Sequence, residues 1–323
     1  MIHTRGLTRD FRVGKEVVQA VRGVDIDVAE GELVALLGPN GAGKSTTLRM
    51  LTTLLEPTSG TAVVAGHDVR TAPAEVRRRI GFVGQGHGAG EDQRAREELY
   101  TQGLLYGLDR RTARRRADGL LDQLELGGAA DREVTKLSGG QRRRLDIAMG
   151  LIHEPGLLFL DEPSTGLDPH SRANLWEHIT RLRDRTGTTV VLTTHYLDEA
   201  DDMAERVLVI DHGRVIADGT ADELKGKVSG DLVTLTVPDA EQARTAAGIA
   251  ERAPSAGTAE VLADAGRDAE VRLRVERGDT VLPELLRGLD AAGVPLLSVR
   301  VQRPTLDDVF LTLTGRSLRE EGA

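Results

Sequence analysis

A chain of 323 residues, 39% hydrophobic and 29% charged, is long enough for two domains and apolar enough for a real core. Fifty-one acidic residues against forty-two basic ones leave a net charge of −9, which argues against nucleic acid as the main partner, because a phosphate-binding surface needs excess Lys and Arg. The absence of cysteine excludes a disulfide framework and a thiolate metal site, and one Trp, three Tyr and four Phe are few for a base-stacking surface.

The start, Met1 to Gly6, lacks the apolar core of a secretory signal. Apolar runs such as Leu33–Leu37 and Leu157–Leu160 are too short to cross a bilayer, so no membrane span is expected. From Arg5 to about Gly38 the pattern predicts short strands at Val17–Val21, Val24–Val28 and Glu32–Leu37, the last apolar throughout, as in a strand buried on both faces. A glycine-rich turn leads into a helix over Lys44–Leu54, and strands follow at Thr61–Val64 and Ile80–Val83. Between Glu91 and Lys136 the chain is rich in Arg, Glu, Leu and Ala at helical spacing without proline, which predicts a mostly helical insert.

Alternation then resumes: helix Gly140–Ile152, strand Leu157–Leu160, helix Ser171–Arg185, strand Thr188–Thr193 and helix Tyr196–Ala204. A hairpin of Val207–Ile210 and Val215–Asp218 follows, turned by Asp211-His212-Gly213. Alternating β and α elements imply a mainly parallel sheet covered by helices. After about Lys225 the texture shifts. Strand Asp231–Val237, helix Ala240–Arg252, strands Ala259–Ala263 and Ala269–Val275, helix Thr280–Ala291 and strand Leu296–Val301 read β-α-β-β-α-β, a ferredoxin-like order, with one more helix over Thr305–Leu313.

Gly38-Pro39-Asn40-Gly41-Ala42-Gly43-Lys44-Ser45 fits the phosphate-loop pattern G-x-x-x-x-G-K-S/T between a buried strand and a helix. Its glycines let backbone N–H groups curl around a polyphosphate, and Thr46 extends the helix N-terminus whose dipole favours anions. Lys44 is placed to reach the β- and γ-phosphates, and Ser45 to offer a hydroxyl to Mg²⁺. The apolar strand Leu157–Leu160 ends in Asp161 and Glu162: the first suits Mg²⁺, the second an attacking water. The runs Arg77–Arg79, Arg114–Arg116 and Arg142–Arg144 are expected on solvated helix faces, and His67 and His87 are weak candidates for metal ligands.

Leu137-Ser138-Gly139-Gly140-Gln141 opens a helix with an N-cap serine and free glycine N–H groups, between the phosphate loop and the acidic strand. On this order of motifs, residues 1 to about 220 resemble the ATP-binding subunits of ABC transporters. The resemblance implies an ABC-type P-loop NTPase cassette over 1–224, with its helical subdomain at about 91–152, and leaves 225–323 as an α+β accessory domain. It implies that Gln85 contacts Mg²⁺ and the attacking water, that Ser164–Asp168 is the D-loop crossing a dimer interface, and that His195 is the switch histidine at the γ-phosphate. Phe11 takes the place of the aromatic that stacks on adenine. The stretch Gly86–Gly90 departs from the family pattern in a region that faces the membrane subunit, which puts coupling, not hydrolysis, in doubt.

The resemblance further implies that ATP is held between two chains, with Ser138, Gly139, Gly140, Gln141 and Asp168 of one closing the nucleotide on the other. The homodimer would sit at the cytoplasmic face of the cell membrane, peripheral to a separate integral permease. The tail Arg303–Leu311, with Thr314-Gly315-Arg316, is similar to that of the daunorubicin-resistance type, which exports drugs, antibiotics or lipids. A nutrient-importer ATPase and a non-transport ABC protein are the alternatives. The first usually carries an all-β extension, and the second two cassettes, coiled coils or zinc-binding cysteines.

Overall fold

In the computed structural model, which describes residues 1–90, 92–228, 230–252, 257–262 and 268–315, the chain opens with two long strands, β1 (Ile2–Val13) and β2 (Glu16–Val28). Glu91, Ala263 and Arg316, named above, lie outside the described residues. Where two short strands were expected at 17–28, one continuous strand runs. Gly6 and Gly23, both at positive φ, fall where the β1–β2 register shifts, so bulges absorb the interruption without ending the pairing. The backbone divides into one unit of Met1–Ala221 and a second that begins at Asp222.

The first unit holds two sheets. The outer one is antiparallel, in the order β2-β1-β4-β5, with β4 at Ser59–Val64 and β5 at His67–Asp68. The central sheet has the order β10-β9-β3-β8-β7-β6. Its parallel members are β3 (Leu33–Leu37), β6 (Ile80–Val83), β7 (Leu157–Asp161), β8 (Thr189–Thr194) and β9 (Arg206–Asp211), and β10 (Arg214–Gly219) closes one edge antiparallel. Every residue of β3, β7 and β8 is buried, which is what unbroken apolar runs require of strands covered on both faces. Each fully buried Leu among them contributes about 2 kcal/mol of transfer free energy.

Helix α1 (Lys44–Leu51) follows β3 and stops three residues earlier than periodicity predicts, because Thr53 takes a left-handed φ of 62°. The short α2 (Pro73–Arg79), opened by a proline in its first turn, was not anticipated. The insert is helical as expected: α3 (Ala95–Leu105), α4 (Arg110–Gln123) and two 3₁₀ turns precede α5 (Gly139–Leu151). Helix α5 lies backbone-to-backbone on β6. A Cβ on Gly81 would stand 2.2 Å from the Gly150 carbonyl oxygen, and one on Gly150 would stand 3.1 Å from Val83 Cγ2. Helices α6 (Pro169–Thr186) and α7 (Leu197–Met203) complete the unit.

Helix α8 (Ala221–Gly226) starts at the last described residue of the first unit, and the second unit goes on with β11 (Asp231–Val237), α9 (Ala240–Ala250), β12 (Glu260–Leu262), β13 (Ala269–Val275), α10 (Gly278–Ala291), β14 (Ser298–Gln302) and α11 (Leu306–Thr314). Its sheet is antiparallel in the order β12-β13-β11-β14, the ferredoxin-like arrangement predicted from the element order. Val233, Leu235 and Val237 of β11 and Val271, Leu273 and Val275 of β13 meet Ala243, Ala246, Leu285 and Leu289 of the two helices in one core. Among the described residues, no helix is long and apolar enough to cross a membrane.

Candidate functional site

The loop between β3 and α1 has its shape forced by close backbone approach. A Cβ on Gly38 would fall 2.1 Å from the Ile210 carbonyl oxygen, and Gly43, at φ 104°, faces the Ala20 carbonyl oxygen at 2.5 Å on the same construction. No other residue fits at either position. The loop is tied to the hairpin of β9 and β10 by Gly213 N–H donating to Ala42 O at 2.9 Å. Lys44 is 4% exposed, and its Nζ donates to Gly38 O (2.6 Å) and Pro39 O (2.9 Å) while standing 4.0 Å from Glu162 Oε1. Burial lowers its pKa from the ordinary lysine value, opposed by the nearby charges of Glu162 and Asp161.

Parallel strands deliver the rest of the cluster to the same edge of the sheet. Asp161 ends β7 and is 1% exposed; its Oδ1 accepts from Ser45 Oγ and from Thr193 Oγ1, each at 2.7 Å. Gln85, just beyond β6, donates from Nε2 to Ser45 Oγ at 3.3 Å. Glu162 takes a left-handed φ of 47°, unusual for a residue with a Cβ, and is fixed there by its N–H donating to Thr193 Oγ1 (2.9 Å) and Thr193 O (3.2 Å). Its Oε2 accepts from Thr165 Oγ1 at 3.2 Å and lies 3.4 Å from His195 Nδ1, without the alignment of a hydrogen bond. Lys44, Ser45, Gln85, Asp161, Glu162 and His195 are thus one cluster. It joins an ammonium, a hydroxyl, an amide, two carboxylates and an imidazole, and its hard oxygen donors are of the kind that Mg²⁺ prefers.

The remaining candidates stand elsewhere. Ser138 caps α5 in a closed box: Ser138 Oγ accepts from Gln141 N–H (3.2 Å) and Gln141 Oε1 from Ser138 N–H (3.0 Å). A Cβ on Gly139 would meet nothing within 4 Å, whereas one on Gly140 would stand 3.1 Å from Ser171 Oγ. Asp168 is not free to reach outward: it caps α6, accepting from Ser171 N–H (2.9 Å) and Ser171 Oγ (2.6 Å), which hold its carboxyl below the usual range. Phe11 lies in β1 beneath the Arg9 guanidinium, 4.7 Å from its ring centre. Among the described residues no hydrogen bond or ion pair links Phe11, Ser138–Gln141 or Asp168 to the Lys44 cluster. Thr46, half-buried, and Asn40 and Gly41, exposed, flank it.

One sequence expectation is corrected. Arg142–Arg144 is not a solvated face: Arg143 is 4% exposed and donates to the carbonyl oxygens of Gly84 and Pro163 (2.7 Å each), Asp161 (3.2 Å) and Glu162 (3.4 Å), while Arg144 donates to Asn174 Oδ1 at 2.8 Å. A guanidinium can be buried when carbonyl oxygens satisfy its fork. Arg77–Arg79 are exposed as expected. His87 pairs with Asp146 at 3.0 Å, and no group of three or more His, Asp and Glu suited to a metal occurs among the described residues. Thr193 and Glu199 were missed. Glu199 is 4% exposed, accepts from Thr194 Oγ1 at 2.8 Å and from Ser164 Oγ, and so ties the 164–168 turn to the strand that carries His195.

Residues 21–165 match the family model described as ABC transporter, and residues 219–314 match the one described as the C-terminal domain of DrrA1-3-like ATP-binding proteins. A daunorubicin resistance ATP-binding protein of Streptomyces coeruleorubidus is 45% identical over 94% of this chain and 94% of its own length. The chain belongs to the ABC transporter ATP-binding family. A daunorubicin/doxorubicin resistance ATP-binding protein of Streptomyces peucetius is also 45% identical, over 97% of this chain and 92% of its own. Among solved structures, a dimeric post-hydrolysis state of the ATP-binding cassette MJ0796, bound to ADP and Pi, superimposes with a TM-score of 0.63 at 28% identity. It covers 68% of this chain and 98% of that one. As a member of this family the chain binds ATP and is an ATPase.

Proposed function

We propose that this ATPase powers export of a drug, antibiotic or lipid through a separate integral membrane permease, to which it is peripheral on the cytoplasmic side. The observation that carries this reading is the Lys44 cluster, which gathers side chains suited to one side of a nucleoside triphosphate and its Mg²⁺, in a chain whose relatives are named for drug resistance. The α+β make-up of the second unit, with α9 and α10 on a four-stranded sheet, counts against the all-β extension of the importer alternative.

Residues 38–46 would cradle the phosphates of ATP, with Lys44 against the β- and γ-phosphates and Phe11 against adenine. Ser45, Asp161 and Gln85 would hold Mg²⁺, which neutralises phosphate charge when bound. Glu162 would polarise the attacking water, held in place by its Thr193 contacts, and His195 would meet the γ-phosphate. A second copy of the chain would close the nucleotide with Ser138, Gly139, Gly140 and Gln141, while Asp168 shapes that surface by capping α6. Positioning and charge neutralisation dominate phosphoryl transfer, so closing such a homodimer completes the site.

Glu162→Gln keeps the size of the side chain and removes its charge. With ATP and Mg²⁺ it is expected to lose ATPase activity by at least about 100-fold and to elute as a persistent dimer. A variant that remains monomeric with ATP at all protein concentrations overturns the sandwich reading. Co-purification with an integral membrane permease expressed alongside it, and loss of drug export from cells in which Glu162→Gln replaces the native chain, would test the transport half.

A further inference from the structure

Helix α5 carries two buried charged residues, Arg143 and Asp146, one turn apart on the same face and each under 6% exposed. Both reach the segment 84–88, at opposite ends of Gln85. Arg143 Nη1 donates to Gly84 O at 2.7 Å. Asp146 accepts from Gly88 N–H through Oδ1 at 2.9 Å and pairs through Oδ2 with His87 Nδ1 at 3.0 Å. Between these anchors the segment is Gly84-Gln85-Gly86-His87-Gly88, whose three glycines supply no side chains to stiffen it. The rest of the Arg143 fork grips the carbonyl oxygens of Asp161, Glu162 and Pro163. The helix that begins at Ser138 therefore holds the backbone on both sides of Gln85 and the backbone of Glu162.

We propose that Arg143 and Asp146 are positioning residues forming a two-point clamp, by which the tip of α5 sets the placement of Gln85 and Glu162 in its own chain. This rests on the reading that the Ser138–Gln141 tip contacts nucleotide on a second copy. Given that contact, a nucleotide seated on the mate is felt, through α5 and the clamp, at the hydrolytic residues of the first chain, and the two sites fire together. The glycine-rich stretch is then no defect: a segment without side-chain packing takes its shape from whatever holds its ends.

The test uses the full-length chain with Arg143→Met, Arg143→Lys and Asp146→Asn. Arg143→Met should lower kcat about 100-fold, the cost of a misplaced catalytic group, while KM and the affinity for a fluorescent ATP analogue stay within threefold. Its Hill coefficient for ATP should fall to one. Arg143→Lys should restore part of kcat, because an ammonium can satisfy one or two of the four carbonyls but not the fork. Asp146→Asn, the milder change, should speed amide exchange at Gly86–Gly88 and lower kcat without lowering nucleotide affinity. Wild-type kcat in Arg143→Met, or kcat and affinity falling in parallel in both Arg143→Met and Asp146→Asn, overturns the clamp. The parent reading fails separately: a Glu162→Gln protein that never dimerises removes the cross-talk between sites, while the kcat ratios of the clamp variants still decide whether α5 positions Gln85 and Glu162.

Discussion

Thr193 shows how much of the site depends on a residue with no chemistry of its own. Its hydroxyl donates to the Asp161 carboxylate and accepts from the Glu162 N–H, so one oxygen holds the first acid by its side chain and the second by its backbone. Thr193→Val has nearly the same shape and is expected to cost about 1–3 kcal/mol in urea unfolding, the penalty of a buried partner left unsatisfied. It should lower ATP turnover with little change in nucleotide affinity; unchanged urea midpoints would mean that Glu162 holds its left-handed backbone without help. Lys44, Ser45, Asp161 and Glu162 were legible in the sequence as a glycine-marked loop and the acidic end of a buried strand, whereas Gln85 and His195 were picked out only through the resemblance to a family. Thr193 was not. A threonine at the end of an apolar strand is common, and only the register of β7 against β8, which sets Asp161 opposite it, gives it a role. Arg143 and Asp146 left a fainter trace: they interrupt the run around Leu145, Ile147 and Ala148 that faces the core.

At the scale of elements, periodicity located most strands and helices, but it missed β5, α2 and α8, which are too short to show a period, and it carried α1 past its stop at Thr53. Strand β2 was expected as two pieces, Val17–Val21 and Val24–Val28, whereas the fold runs through Gly23 as a bulge. The seam between α5 and α6 was hidden because it is polar. There His178, 2% exposed on α6, has Arg144 3.2 Å from its Nε2 and Glu125 at 3.8 Å, with Arg181 and Glu177 nearby. Burial, followed by Arg144, lowers the His178 pKa below its ordinary 6.5, and His153, stacked on Tyr106 at 3.8 Å, is lowered chiefly by burial too. Both rings are folded in as neutral bases. The unfolded chain takes up these protons first, so this contribution to stability is complete above about pH 6.5 and is lost as pH falls through the lowered folded values. The melting temperature should therefore drop between pH 7.5 and 5.5, and His178→Gln, which cannot titrate, should show a smaller drop. An identical pH slope in both proteins would remove His178 from the account.

For the whole molecule, two separate cores predict two unfolding events. The single tryptophan, Trp176, is buried in the first unit, so its fluorescence reports that unit alone, while circular dichroism at 222 nm reports both. In a urea series the two signals should not superimpose, and a fragment of residues 222–323 should unfold cooperatively by itself. Coincident curves, with a fragment that stays unstructured, would show that the second unit has no independent stability. The seam of Gly81 and Gly150 has a practical consequence for anyone exchanging parts between such proteins. Because a Cβ at position 81 would stand 2.2 Å from the Gly150 carbonyl oxygen, whereas one at 150 would meet nothing nearer than the Val83 methyl at 3.1 Å, a chimaera that imports a foreign segment 95–151 must keep glycine at 81 and tolerates alanine at 150 with a small shift of Val83. A side chain at 81 would wedge the graft off its bed and tilt the serine-tipped end away from any neighbour it was meant to meet.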